Sequence, residues 1–261
     1  MSDPLFDVEG QIVLVSGGSR GIGQAIASGF AQRGAQVVIT GRDSESLTKA
    51  LDTFGQMSLT PEAMVCDVSR IDHIQRTVDQ LQQQYGHIDT LINVAGVNRR
   101  KPSLEVTEED YDFILDINLK GAFLLSQSVG RLMIERGSGS QINIASLNTD
   151  RPLKNVLPYA VSKAGMGHMT RALASEWGAF GVRVNALAPG FVLTDLTRKL
   201  WSEPHMKQWG LANTPQRRMG EPEDMVGTAV FLASAASAFM TGQILYVDGG
   251  FTAAFDWPIE D

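Results

Sequence analysis

A tyrosine and a lysine four residues apart are the side chains in this sequence best suited to acid–base chemistry. Tyr159 and Lys163 share one face if their segment is a helix. A tyrosine with its ordinary pKa of about 10 ionises too little near neutrality, and lowering that pKa by about three units requires ~4 kcal/mol. The ammonium group of Lys163 can supply this as positive charge. Such pairs on surface helices are more often packing contacts, so other residues must support the prediction.

Ser146 and Asn118 are two polar residues that could join this pair. Ser146 lies 13 residues before Tyr159, at the end of a predicted strand. Its hydroxyl could hydrogen-bond a reacting carbonyl or alkoxide and stabilise charge as it forms, or it could only cap the strand. Asn118 falls within a predicted helix, where an amide is unfavourable and needs a local reason.

A glycine-rich segment follows the first predicted strand and precedes the first predicted helix. Its glycines, Gly17, Gly21 and Gly23, have the spacing Gly-x-x-x-Gly-x-Gly. Glycines allow a sharp turn and a close approach of the backbone, and a helix start offers unpaired N–H groups to a pyrophosphate. This layout predicts a dinucleotide site, although a tight turn without a ligand has the same spacing.

The elements that must position these residues follow from two alternating hydrophobic periods. Short apolar, β-branched runs predict strands at 11–16, 36–40, 63–66, 90–94, 141–145, 182–187 and 243–247. Helical spacing predicts helices at 21–33, 44–55, 71–85, 107–136 (one or two helices), 156–180 and 223–233. We therefore expect a single doubly wound α/β domain of the Rossmann type over residues 1–261, with about seven parallel strands and an insertion at 191–215.

The composition excludes several functional classes. Twenty-two Lys and Arg against 29 Asp and Glu give a net charge of −7, which argues against a nucleic-acid footprint. Cys66 is the single cysteine, so neither an intramolecular disulfide nor a cysteine-based zinc site is possible, and the four histidines lack metal-ligand spacing. Because signal-peptide and membrane-spanning patterns are also missing, we expect a cytoplasmic protein that binds no metal, membrane or nucleic acid.

Several motifs, in order, resemble those of the short-chain dehydrogenase/reductase family and cover about residues 8–252. Besides the glycine loop and Tyr159-x-x-x-Lys163, they are Asn93-Val94-Ala95-Gly96, Asn118-Leu119-Lys120-Gly121, Pro189-Gly190 and Asp248-Gly249-Gly250. Ser16 and Val94 stand where the family usually has Thr and Asn. The resemblance implies hydride transfer between a nicotinamide and a ketone or secondary alcohol.

The resemblance also implies roles for individual residues. Tyr159 would exchange the proton, Lys163 would stabilise its phenolate and bind the nicotinamide ribose, and Ser146 would bond the reacting oxygen. Asn118 would hold a water that links Lys163 to solvent. The residues expected to bind the cofactor are Gly17, Ser19, Arg20, Gly21, Ile22, Gly23, Arg42, Asp67, Val68, Asn93, Ala95, Gly96, Tyr159, Lys163, Pro189, Gly190, Val192 and Thr194.

The end of the second predicted strand indicates which nicotinamide is used. NAD enzymes of the family have an acidic residue there for the ribose 2′-OH, and this chain has Gly41. The guanidinium groups of Arg42 and Arg20 would suit the 2′-phosphate of NADP, whereas the alternative is that Arg42 is merely solvated. Asp43 is interpreted as a helix N-cap. We therefore expect NADP(H).

The basic run Arg99-Arg100-Lys101 indicates the substrate class. An arginine beside the site could bind a carboxylate, although a solvated loop charge is an equal alternative. The run and the sequence of the insertion resemble gluconate 5-dehydrogenases and related sugar-acid or polyol oxidoreductases. The expected substrate is a sugar acid, ketose or polyol, and the residues expected to bind it are Arg100, Ser146, Asn148 and Tyr159. A 3-oxoacyl-thioester reductase and a catalytically idle NADP-binding regulatory module are the alternatives.

Three segments carry further expectations from the resemblance. The insertion at 191–215, with Trp201 and Trp209, would be a lid that closes over the substrate. A homotetramer would form through two long helices and the last strand, although the helix around 123–132 equally suits packing on the sheet. The aromatic segment 255–258 could dock on a neighbouring subunit.

Overall fold

The computed structural model describes residues 3–253 and places seven parallel strands of this range in one sheet. The strands are β1 (Ile12–Ser16), β2 (Gln36–Gly41), β3 (Glu62–Val65), β4 (Thr90–Asn93), β5 (Gly139–Ile144), β6 (Val182–Pro189) and β7 (Ile244–Val247). Their order across the sheet is β3-β2-β1-β4-β5-β6-β7. The predicted doubly wound α/β fold is confirmed, and the aromatic segment 255–258 lies outside the described residues.

Helices cover both faces of this sheet. They are α1 (Gly21–Ala31), α2 (Ser44–Gln56), α3 (Ile71–Tyr85), α4 (Glu108–Leu115), α5 (Ala122–Arg136), α6 (Leu157–Trp177), α7 (Asp195–Trp201), α8 (Pro204–Asn213) and α9 (Val226–Ala233). One core, around Phe30, packs α1, α2 and α9 on the sheet. A second core, around Leu125, packs α3, α5 and α6 on the sheet. Strands enclosed on both faces must be apolar throughout, which is why β1 and β4 are buried at every position.

The segment predicted as one or two long helices contains an irregular turn. A π-helical turn, Asp116–Gly121, separates α4 from α5. The N-terminus of α4 has a capping box: Thr107 Oγ1 accepts from Asp110 N at 3.2 Å, and Asp110 Oδ2 accepts from Thr107 N at 3.3 Å. Within α5, Leu125 is buried in the second core while Phe123 is exposed, so this helix packs mainly on the sheet.

The order of the strands places a crevice at one edge of the sheet. The first crossovers build outward from β1 to β2 and β3, and the chain then returns to place β4 on the other side of β1. Ser16 at the end of β1 is in register with Thr40 of β2 and Asn93 of β4. In open parallel sheets, ligands bind beyond the carboxyl ends of the strands at such a point of reversal.

Candidate active site

A cleft of about 330 Å³ lies at this carboxyl edge and receives residues from the ends of β1 to β6 and from α7. It brings together most of the residues that the sequence predicted for the site. Those that line it are Gly17, Ser19, Arg20, Gly21, Ile22, Gly23, Arg42, Asp67, Val68, Ala95, Gly96, Arg100, Ser146, Asn148, Tyr159, Lys163, Pro189, Gly190, Val192 and Thr194. The structure does not bring Asn93 or Asn118 to the surface of this cleft.

The glycine loop approaches neighbouring backbone so closely that side chains at Gly17 and Gly23 would not fit. The amides of Gly17 and Gly18 donate to the Thr40 carbonyl at 2.8 and 3.1 Å, which fixes the loop on β2. Gly17 has a φ of +77°, and a Cβ on Gly23 would collide with the carbonyl of Gly17. The N-cap residue of α1, Arg20, forms no side-chain cap, so the first-turn amides of α1 are left for a ligand. A helix start with free amides and a partial positive charge favours a phosphate group.

The end of β2 places cations where the sequence predicted a 2′-phosphate. Arg20 and Arg42 are both exposed and line the same end of the cleft with Gly41. Asp43 Oδ2 accepts from Ser46 N at 2.9 Å, which confirms the carboxylate as the N-cap of α2. Asp67, beyond β3, lines the cleft, and its carboxylate accepts from the backbone and hydroxyl of Ser69 at 3.0 and 2.7 Å.

The acid–base residues meet where β5 ends against α6. Tyr159 and Lys163 lie on one face of α6, with Lys163 Nζ 5.7 Å from the centre of the Tyr159 ring. Lys163 Nζ donates to the Ile144 carbonyl at 2.6 Å, which holds the ammonium group against β5. Ser146 follows β5, and its Oγ accepts from the backbone amide of Asn148 at 3.1 Å. The catalytic set is thus held by the last residues of one strand.

Burial shifts the pKa of both titrating groups in this set. The enclosed position of Tyr159 raises its pKa above the ordinary value, while its hydrogen bond with Ser146 and the charge of Arg100 act in the opposite direction. Burial lowers the pKa of Lys163 to about 8, because an ammonium group is disfavoured away from water. The sequence predicted Lys163 as the cation that stabilises the phenolate, and in the structure the charge of Arg100 also lowers the pKa of Tyr159.

Asn118 lies behind the wall of the cleft and does not line it. It lies in the π-helical turn and is fully buried. Its Oδ1 accepts from Val97 N at 2.8 Å, and its Nδ2 donates to Val97 O at 2.9 Å and to Ser162 Oγ at 3.1 Å. Ser162 Oγ in turn donates to the Tyr159 carbonyl at 2.7 Å. Asn118 therefore joins the segment after β4 to the helix that carries Tyr159, and these contacts are the local reason for an amide within this helical segment.

The side chain of Asn93, which the sequence predicted to bind the cofactor, is turned into the sheet. Asn93 is buried in the sheet, where Nδ2 donates to Asn143 Oδ1 and to Ser126 Oγ, both at 2.9 Å. Asn143 Nδ2 continues this chain to Thr170 Oγ1 on α6 at 2.9 Å. The side chain of Asn93 points into the sheet because β4 is buried on both faces and buried amides need hydrogen-bond partners.

The basic run after β4 divides into two paired cations and one that faces the cleft. Arg99 Nη1 donates to Asp110 Oδ1 at 2.9 Å, and Lys101 Nζ donates to Asp110 Oδ2. Arg100 lines the cleft, and within residues 3–253 no carboxylate forms an ion pair with it. Asn148 also lines the cleft, although its Oδ1 is occupied by the amide of Leu153 at 3.0 Å. Residue spacing alone does not predict these ion pairs, because they join residues nine and eleven positions apart.

The segment 191–215, predicted to be an insertion, forms two helices, α7 and α8, of which α7 lines the cleft. Phe191, which follows β6, packs edge-on against Trp201 and Phe251 with ring centres 4.9 and 4.7 Å apart. Trp201 is buried and lines the cleft, whereas Trp209 is largely exposed. An aromatic cluster of Phe191, Trp201, Trp209 and Phe251 therefore anchors this insertion to the ends of β6 and β7.

Two kinds of feature are absent from the described part of the chain. Within residues 3–253, no three or more His, Cys, Asp or Glu side chains are grouped closely enough to hold a metal ion. In the same range, no helix is long and apolar enough to cross a membrane.

Comparison with known proteins gives matches over nearly the whole chain. A family model described as "Enoyl-(Acyl carrier protein) reductase" matches residues 17–252. Gluconate 5-dehydrogenase of Gluconobacter oxydans is 40% identical over 255 residues, which cover 97% of this chain and 100% of that protein. D-threitol dehydrogenase of Mycolicibacterium smegmatis is 37% identical over 250 residues, which cover 95% of each protein.

A solved structure is similar in fold as well as in sequence. The gluconate 5-dehydrogenase from Burkholderia cenocepacia, in complex with NADP and tartrate, superposes with a TM-score of 0.92 at 35% identity and covers 97% of this chain and 99% of that one. In that protein the cofactor is NADP, and tartrate is a small hydroxylated dicarboxylate.

Proposed function

The chain belongs to the short-chain dehydrogenase/reductase family, and on this premise we propose that its substrate is a sugar acid or a related ketose or polyol. The protein is an oxidoreductase that transfers a hydride between NADP(H) and a secondary alcohol or its ketone. The family resemblance seen in the sequence is confirmed by the family match and by relatives that span almost the entire chain. The reaction class follows from the family, and the choice of substrate is argued from the cleft.

The single observation that supports the substrate class is Arg100. It is the cation of its run that lines the cleft, and its charge acts on Tyr159, so the two side chains face the same space. A guanidinium group binds a carboxylate through two parallel hydrogen bonds. A substrate with both a carboxylate and a secondary hydroxyl would place the carboxylate on Arg100 and the hydroxyl on Tyr159. Gluconate carries both groups, and several relatives are named for gluconate or its derivatives.

The residues of the cleft fit the cofactor. A Cβ at Gly17 would lie 2.7 Å from the Ala95 amide nitrogen, so a glycine there lets the loop pack against the segment after β4. The loop lines the cleft beside the start of α1, where a pyrophosphate would bind. Arg42 and Arg20 are placed for a 2′-phosphate, and no acidic side chain stands at Gly41. We assign Asp67 and Val68 to the adenine end. The nicotinamide end is assigned to Ala95, Gly96, Tyr159, Lys163, Pro189, Gly190, Val192 and Thr194.

Residues of this chain take up and return the proton that is transferred in the reaction. The nicotinamide, when bound, supplies the carbon that accepts or donates the hydride. In oxidation, Tyr159 takes the proton of the substrate hydroxyl, and in reduction it returns a proton to the carbonyl oxygen. Ser146 hydrogen-bonds the same oxygen and stabilises the charge that forms there. Arg100 and Lys163 stabilise the phenolate, and Asn118 positions Tyr159 through Ser162.

The experiment that tests this proposal is a substrate screen with both nicotinamides. Sugar acids, ketoses, neutral polyols and 3-oxoacyl thioesters are offered with NADP(H) and NAD(H), and Tyr159→Phe serves as the variant without the acid–base hydroxyl. We expect turnover of a sugar acid or polyol that Tyr159→Phe lowers by at least about a hundredfold. Reduction of acyl thioesters alone would favour the reductase alternative. Cofactor binding without turnover of any substrate would favour a regulatory module.

We also propose a homotetramer and a cytoplasmic location. Every residue of the edge strand β7 is only partly buried although its sequence is apolar. Leu104, Leu157 and Val161 are exposed and line one groove beside α6. Apolar surfaces of this kind favour association between subunits. A single buried thiol, Cys66, suits a reducing compartment.

A further inference from the structure

The carboxylate of Asp110 forms ion pairs with Arg99 and Lys101, the two cations on either side of Arg100. Its side chain is only 6% exposed, and each of its oxygens has a different cation: Oδ1 has Arg99, at 2.9 Å, and Oδ2 has Lys101. The guanidinium group of Arg99 also lies over the ring of Phe113, 4.1 Å from its centre. These cations hold the pKa of the Asp110 carboxyl far below its usual range, so the carboxylate stays ionised. One buried charge therefore fixes two side chains of the run.

The backbone around Arg100 is fixed as well. At one end, both the N–H and the C=O of Val97 are bonded by Asn118. At the other end, Lys101 N donates to the Asn155 carbonyl at 3.0 Å. Arg100 thus lies in a short segment whose two ends are tied to different elements. Its own side chain, with no ion pair to any described residue, is directed to the cleft.

The pairing also sets the local charge. Without Asp110, three adjacent cations would compete for an anionic ligand, and Arg99 and Lys101 would be free to pull it away from Tyr159. With Asp110, two of the charges are held on α4, and Arg100 remains the cation of the run that lines the cleft. Holding a binding group in its bound geometry lowers the entropic cost of binding.

From this geometry we propose that Asp110 is a positioning residue that directs Arg100 into the cleft and thereby sets the preference for carboxylate-bearing substrates. The proposal rests on the proposed function for its choice of ligand. It goes beyond that function because Asp110 itself does not touch the substrate. Tartrate is the probe, because it is a carboxylate present in the similar Burkholderia cenocepacia structure and its binding can be measured without any oxidation.

The test measures tartrate affinity by calorimetry on the NADP⁺-loaded enzyme, together with KM and kcat for gluconate and for a neutral polyol such as D-threitol. Asp110→Asn keeps the shape of the side chain and removes its charge. We expect its dissociation constant for tartrate and its KM for gluconate to rise about tenfold, as loss of a charge-assisted contact implies, with D-threitol kinetics within about twofold of wild type. Arg100→Ala should raise the dissociation constant for tartrate at least as much. The double variant should lose no more tartrate affinity than Arg100→Ala, because Asp110 acts through Arg100.

Two matched variants separate positioning from folding. Thr107→Ala removes the other half of the same helix cap but leaves both ion pairs, so its melting temperature should fall while its tartrate affinity stays at the wild-type value. Glu109→Gln removes an exposed charge 3.7 Å from Arg99 and should change neither. The proposal is overturned if tartrate binds Asp110→Asn as tightly as wild type, if both ligand classes suffer equally, or if the losses in the double variant add. A wild type that binds tartrate with this dependence on Asp110 but does not oxidise gluconate would refute the proposed substrate and leave this inference standing.

Discussion

Lys163 keeps an ammonium group in surroundings that disfavour its charge. The residue is 3% exposed, and the Ile144 carbonyl at 2.6 Å is its only oxygen partner within residues 3–253. This arrangement lowers the stability of the folded chain at neutral pH, because the unfolded state binds the lysine proton more tightly. In the same site, burial raises the pKa of Tyr159 and a second cation, Arg100, lowers it. Burying this pair therefore lowers the free energy of unfolding, and the surrounding elements must hold the two side chains in place.

The first prediction concerns the stability of the cofactor-free protein between pH 8 and 10.5. The pKa of Lys163 is about 8 in the folded protein, against 10.5 for an ordinary lysine, so the penalty is complete below pH 8 and disappears as the pH rises toward 10.5. The unfolding free energy of wild type, relative to Lys163→Met, should therefore rise by about 3 kcal/mol at most over this window. Urea unfolding at a series of pH values measures it. Lys207→Met, at an exposed position, is the control, and parallel curves for wild type and Lys163→Met would contradict the prediction.

A second prediction at the same scale concerns the choice of nicotinamide. Replacing Arg42 by Ala removes a guanidinium group from the end of the cleft where the 2′-phosphate is assigned. We expect kcat/KM with NADP to fall about ten- to a hundredfold and kcat/KM with NAD to change little, because only NADP carries that phosphate. Steady-state kinetics with both cofactors measures this. Lys49→Ala, which removes a charge from α2 outside the cleft, is the control, and unchanged use of NADP in Arg42→Ala would refute the assignment.

At the scale of elements, hydrophobic spacing predicted the fold well and the irregular turn poorly. Most predicted strands begin and end within two residues of the observed ones, since apolar runs between glycines leave little choice. The π-helical turn at 116–121 was not predicted, because a single widened turn hardly changes the spacing of apolar residues. The inward orientation of the Asn93 side chain and the ion pairs of Asp110 were not predicted, for another reason. Both depend on contacts between residues distant in sequence, such as Arg99 and Lys101 with Asp110.

The third prediction follows from the close approach that ends this turn. A Cβ on Gly121 would lie 2.6 Å from the carbonyl oxygen of Val68, which lines the adenine end of the cleft. Gly121→Ala should therefore lower the free energy of unfolding by about 1–3 kcal/mol, as overpacking does, and raise the KM for NADP. Chemical unfolding and initial rates measure the two effects. Gly227→Ala in α9, where a Cβ meets nothing within 4 Å, should be neutral or stabilising; equal effects of both changes would contradict the close-approach argument.

At the scale of the whole molecule, the order of the strands explains why residues far apart in sequence form one site. The carboxyl ends of β1 to β6 meet at one edge, so the glycine loop near residue 17 and helix α7 near residue 201 face the same cleft. The same order leaves β7 at the edge of the sheet with partly exposed apolar side chains. The architecture that builds the site in one chain therefore also leaves a surface that a second chain can cover.

The fourth prediction tests that surface. Light scattering should give a mass near four times the 28.3 kDa of one chain. Leu104 is 100% exposed and lines the groove beside α6. The change Leu104→Glu would place a charge in the proposed interface, so the mass measured by light scattering should fall. Leu51→Glu on α2 is a control change of the same kind, away from the groove. A monomeric wild type at micromolar concentration would refute the tetramer.

The chain of buried side chains that starts at Asn93 has a consequence for how the protein opens. Asn93 bonds Asn143, Asn143 bonds Thr170, and Thr170 Oγ1 donates to the Met166 carbonyl at 2.9 Å. Strands β4 and β5 and the helix α6 are thereby linked through the interior of the protein, with Lys163 as a second link from α6 to β5. Breaking one of these hydrogen bonds would leave buried polar groups without hydrogen-bond partners, so these elements should open together. The amide protons of α6 should then exchange with deuterium only as slowly as those of the central strands, and the catalytic helix belongs to the last unit of the molecule to unfold.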